Sequence, residues 1–93
     1  MKINPKENIL KGSFILTKKG VELDDISKRI NELISNYLIK IKTDETGWDT
    51  LFKDPSDNRF WELVYANSDM QGGGPPILRY ISIHDANIKY ELQ

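Results

Sequence analysis

Apolar and polar positions alternate in two rhythms along the chain. In GSFILTKKGVEL, residues 12–23, an apolar run meets a Lys18-Lys19-Gly20 turn and then Val21 and Leu23 in alternation, which predicts a short hairpin. The rhythm then changes. Leu23, Ile26, Ile30, Leu33, Ile34 and Tyr37 recur at three- and four-residue spacing, the stripe of an amphipathic helix of about three to four turns. Lys28, Arg29, Glu32 and Ser35 fall on its other side, and Asp24 or Asp25 supplies the N-cap carboxylate. Such a helix docks most simply on a sheet. Tyr37–Thr43, YLIKIKT, fits either a strand or a continuation of the helix, with its β-branched residues tilting it toward extended backbone.

The second half has the rhythm of strands. Thr43–Gly47 is a turn, after which Trp48, Thr50 and Phe52 share one face of a strand and Asp49, Leu51 and Lys53 the other. Asp54-Pro55-Ser56-Asp57-Asn58 carries turn chemistry. Pro55 presets φ for a type I turn, Asp54 caps it, and Asn58 tolerates left-handed backbone. Arg59–Tyr65 is the return strand and Ile77–Ile81 a third one. Ser82-Ile83-His84-Asp85 is a capping box that opens a last helix running to about Tyr90. The expected class is α+β, one domain over residues 1–93. It comprises a small antiparallel sheet of about four to six strands, one long amphipathic helix and a short C-terminal helix.

Between the second and third of these strands stands Gly72-Gly73-Gly74-Pro75-Pro76. A phosphate loop needs converging backbone N–H groups and a following helix. Pro75 and Pro76 have no N–H, a strand follows, and neither Gly-Lys-Ser/Thr nor Gly-x-Gly-x-x-Gly occurs. The segment reads instead as a corner, with glycines that permit reversal and prolines that set the entry angle of the third strand. A glycine surface also lets a partner's backbone come close.

Composition narrows the function. The 93 residues carry a net charge of −1 and no cysteine, and MKINPKENIL lacks the apolar run of a signal peptide. No stretch approaches the ~20 apolar residues of a membrane span. A reducing cytoplasm is the expected location. The charge is uneven: +4 over residues 1–42, −5 over residues 43–69 and balanced thereafter. An acidic centre made by Asp44, Glu45, Asp49, Asp54, Asp57, Glu62 and Asp69 argues against a nucleic-acid partner and suits a basic protein. A merely solvated acidic face gives the same pattern. His84 is the single histidine and Ser82 is a cap, so no catalytic set is visible. The carboxylate spacing lacks the pattern of a calcium loop, so neither metal nor cofactor is expected. Trp48 and Trp61 are expected in a core or at its rim.

The stretch DETGWDTLFKDPSDNRFWELVYANSDMQGGGPPILRYIS, residues 44–82, is similar to the immunity protein 27 family of bacterial polymorphic toxin systems. The likeness lies in Gly47-Trp48, in the Lys-Asp-Pro-x-Asp-x-Arg turn with Pro55, and in Trp61-Glu62-Leu63. Gly72–Pro76, the Ser82-x-x-Asp-Ala helix start with Lys89-Tyr90, and Arg29-Ile30 with Leu33-Ile34 extend it over residues 12–90. Asn58 stands where glycine is expected, and asparagine supports the same backbone. The resemblance implies a small cytoplasmic protein, not an enzyme, that binds and neutralises a cognate toxin encoded beside it. It does not fix the toxin's chemistry. On this reading Asp44, Glu45, Asp49, Asp54, Asp57 and Asp69 are the expected contacts for a basic toxin surface, such as the phosphate-binding cleft of a nuclease. No membrane or nucleic-acid partner is expected, and the oligomeric state stays open. A second reading is a small ligand-binding or enzymatic domain with a pocket near Gly72–Pro76, and a third is an adaptor without a toxin.

Overall fold

A computed structural model describes residues 3–65 and 74–92. Asp69, Gly72 and Gly73 lie outside them. The elements run β1 (Ile9–Lys11), β2 (Phe14–Thr17), β3 (Gly20–Leu23), α1 (Asp25–Asn36), β4 (Ile39–Thr43), β5 (Thr50–Lys53), β6 (Phe60–Tyr65), β7 (Pro76–Ile81) and α2 (Ile83–Tyr90). β2 and β3 form a two-stranded sheet of their own, and the other strands form a five-stranded sheet in the order β1-β7-β6-β5-β4. Every pairing is antiparallel. The class is α+β, as the sequence predicts.

Local chemistry accounts for most element ends. Asp24 caps α1 by accepting from Ser27 N at 2.7 Å, and Ser82 caps α2 by accepting from Asp85 N at 3.1 Å. α1 has 12 residues, an ordinary helix length, and Leu23 of the expected stripe belongs to β3. The helix stops at Asn36, and YLIKIKT resolves into a strand, β4, with a bulge between Lys40 and Lys42. The β5–β6 turn closes through Asn58 N to Asp54 O at 2.8 Å, with Asn58 at φ 65°. β7 starts on Pro76, a position where a missing donor is tolerated.

Register determines what each face carries. Phe52 opposes Trp61, Leu63 opposes Leu78, and Tyr65 opposes Pro76. These side chains face α1, where Ile30, Leu33, Leu38, Leu10 and Ile3 complete the larger core. The alternate positions face the other way. Leu51, with Phe60 and Ile81 beside it, packs against Ala86 and Tyr90 of α2. The sheet is therefore sandwiched between α1 and α2.

The strands have a common end, where β4, β6 and β1 finish and β5 and β7 begin. The β4–β5 turn, the end of β6 and the base of the β2–β3 hairpin all lie there. The β5–β6 turn lies at the opposite end.

Candidate functional site

The expected acidic contacts do not form one cluster. Asp44, Glu45 and Asp49 sit in the β4–β5 turn, and Asp54 and Asp57 in the β5–β6 turn. The four residues of β5 separate these groups by roughly 13 Å. Asp54 is 0% exposed. Its Oδ1 accepts from Tyr37 Oη at 2.6 Å and from both Ser56 N and Ser56 Oγ at 2.8 Å. Burial alone would push this carboxyl up, but those hydrogen bonds outweigh it and hold it below the ordinary range. Asp54 is a buried turn residue, which removes it from the surface that a partner meets. Asp57 is exposed, and its charge is offset by Arg59 Nε at 2.7 Å.

The β4–β5 end keeps an excess of negative charge. Asp44 Oδ1 holds the turn by accepting from Thr46 Oγ1 at 2.7 Å and Gly47 N at 3.1 Å. Burial opposes its ionisation, yet these donors keep its carboxyl below the usual range. Gly47 takes φ 81°, a conformation that explains the glycine before Trp48. Glu45 is exposed and in no ion pair among the described residues. Asp49 pairs with Lys89 Nζ at 2.7 Å. A shallow cavity of about 100 Å³, lined by Lys42, Asp44, Glu45, Lys89 and Glu91 among others, joins this turn to the end of α2. With Asp49, the carboxylates here number four against two lysines.

Trp48 stands at the same end, before β5 begins, and is 41% exposed. Its ring meets Tyr65 edge to face, at 6.1 Å and 73°. The two tryptophans have separate roles: Trp61 is fully buried under α1, with the Arg59 guanidinium 5.0 Å from its ring.

Sequence reading counted Glu62 in the acidic centre but missed its place in a buried ionic network. It is 2% exposed on the α2 face, where Arg79 Nε donates at 2.9 Å, Tyr90 Oη donates at 2.8 Å and Lys89 Nζ is in contact. Burial would raise its carboxyl, but these partners hold it low. Burial and the same carboxylate push the Tyr90 hydroxyl far up. Strand alternation puts Glu62 opposite Arg79, a signal that was available. Lys89 becomes a neighbour only once α2 is laid on the sheet. The network borders a cavity of about 420 Å³ that Arg79, Ser82, Asp85 and Lys89 help line. Its lining holds opposite charges in matched number, Glu62 and Asp85 against Arg79 and Lys89, and the network ties α2 to the sheet as an ionic clasp.

Gly74, at φ 74°, and Pro76 are buried where β7 begins, and neither cavity is lined by Gly74, Pro75 or Pro76. Among the described residues, no group of three or more His, Cys, Asp or Glu side chains is placed to hold a metal ion. No helix among them is long and apolar enough to cross a membrane.

Comparison with known proteins returns one family. The model described as immunity protein 27 matches residues 16–82, from β2 to the cap of α2. No curated protein and no solved structure matches the chain.

Proposed function

Because the chain belongs to the immunity protein 27 family, we propose that it protects its cell by binding and neutralising a cognate toxin domain in the cytoplasm. The observation that carries this reading is the family match over residues 16–82. The surface proposed for the toxin is the β4–β5 end of the sheet. Glu45 and Asp44 supply its negative charge, and Trp48 supplies an aromatic anchor of the kind that dominates binding energies. Asp49 contributes through its pair with Lys89. Asp57 points from the other end, and Asp69 is kept on its charge alone. A basic toxin surface complements this end, and the phosphate-binding cleft of a nuclease would provide one. The protein acts by occupancy, without a reaction or cofactor of its own. Charge here sets encounter rate and specificity more than affinity.

Co-expression tests the reading. Cells making the toxin domain that this reading expects to be encoded directly upstream should stop growing with an empty vector and grow with this chain present. Failure of the chain to rescue them, with both proteins made, contradicts it. Glu45→Lys should slow association with the toxin and reduce its salt dependence.

A further inference from the structure

The β2–β3 hairpin presents an apolar face that the described residues leave uncovered. Leu16 is 84% exposed and Val21 69% exposed, and the two are direct cross-strand partners. Phe14, two residues before Leu16, lies on the same face and is also exposed. A lone two-stranded hairpin is marginally stable in water. This one is held at its base, not by burial of its blades. Asp24 N donates to Ser13 O at 3.0 Å, and Ser13 Oγ donates to Asp24 Oδ2 at 2.8 Å. Gly12 N donates to Pro76 O at 2.9 Å. At the tip, Thr17 Oγ1 accepts from Lys19 N at 3.1 Å and contacts the Glu22 carboxylate. The element is thus pre-shaped with its apolar face open, which lowers the ordering cost of binding.

Two observations say what covers it. The tip carries Lys18 and Lys19, both exposed and in no ion pair among the described residues. A surface complementary to it is apolar at the centre and rimmed by carboxylates. The hairpin is also continuous with the end proposed above for the toxin. Gly12 bonds Pro76, Pro76 opposes Tyr65 in the register, and Tyr65 packs on Trp48. Three strand spacings, about 14 Å, separate β5 from β1, the strand from which the hairpin departs, so the hairpin's base lies within an interface's width of the β4–β5 turn.

We propose that the Phe14–Leu16–Val21 face is a second docking element for the cognate toxin, and that it takes an apolar, acid-rimmed patch of that toxin while the β4–β5 turn takes a basic one. This inference rests on the immunity reading. The two elements together make recognition bipolar: one toxin must match opposite charges at two places, a strong filter against non-cognate toxins.

The test uses the purified full chain and the purified upstream toxin domain. Leu16→Thr with Val21→Thr keeps β propensity at exposed positions, so the melting temperature should hold. Toxin affinity should fall about tenfold or more, mainly through faster dissociation. Lys18→Glu with Lys19→Glu should slow association at low salt. Wild-type affinity in the threonine variant, alongside weakened binding by Glu45→Lys, overturns the hairpin proposal and leaves the immunity reading standing. A wild-type dimer that the threonine variant dissolves, or hairpin-dependent binding to anionic vesicles with toxin affinity unchanged, assigns the face elsewhere and also overturns it. A wild-type chain that does not bind the toxin removes both readings together.

Discussion

Tyr37 Oη donates to Asp54 Oδ1 at 2.6 Å, fastening the C-terminal end of α1 to the turn between β5 and β6. The second oxygen of this buried carboxylate has no partner among the described residues, so the Tyr37 bond carries much of its solvation. The carboxylate in turn raises the Tyr37 hydroxyl. Tyr37→Phe should lower stability by about 1–3 kcal/mol, read as an earlier urea midpoint with an unchanged slope. Toxin binding by the folded fraction should be unaffected, since Asp54 is not part of the proposed surface.

Gly12 is a packing requirement. A Cβ there would overlap Ser27 Oγ and stand 2.7 Å from Pro76 O. Gly12→Ala should cost about 1–3 kcal/mol by displacing the hairpin base from β7. Amide chemical shifts should move at Ser13, Ser27 and Ile77 while the β4–β5 turn stays put.

Glu62 holds α2 to the sheet. Removing its carboxylate leaves Arg79 and Lys89 facing each other without the charge between them. Glu62→Ala should destabilise by about 3 kcal/mol, the low end for breaking a buried pair because both cations reach solvent. Thermal melts read the loss, and hydrogen exchange should show α2 opening before α1.

Acid should unfold the protein through its carboxylates. Glu7 is held down to about 2, chiefly by the Arg29 guanidinium. Asp24 is held well below its usual range, first by the Ser27 backbone N–H, and Asp54 and Glu62 lie low as well. In each case the folded pKa lies below the unfolded one, so the stabilisation is complete above the unfolded values near 4 and lost as pH falls further. Tyr90 and Lys89 are shifted upward, so their contribution is lost as pH rises beyond about 10. Urea midpoints should be level from about pH 5 to 9 and fall on both sides. A maximum near pH 4 would contradict these assignments.

Much of the fold was legible where chemistry is local. The Lys18-Lys19-Gly20 turn, the Asp24 and Ser82 caps and the left-handed Asn58 each follow from a few neighbouring residues. β1 was not legible, because three residues show no period and Ile9–Lys11 becomes a strand only by pairing with β7. β4 was ambiguous for a related reason: Ile39 and Ile41 on an edge strand stay exposed, so burial leaves little pattern in the sequence. The acidic segment misled most. Its carboxylates are close along the chain, but β5 carries Asp54 and Asp57 to the far end, and the turn buries Asp54. The exposed hairpin face went unnoticed because apolar alternation reads as burial until the partner sheet is seen to be missing.

On the proposed function this chain neutralises a toxin by direct contact. Calorimetric titration of the purified chain into the upstream toxin domain measures that contact without any cellular readout. The expected result is a saturable one-to-one complex with Kd of about 1 μM or tighter, weakened by Glu45→Lys and by Leu16→Thr with Val21→Thr. An active toxin domain that gives no binding heat, and elutes apart from this chain on gel filtration, would contradict it.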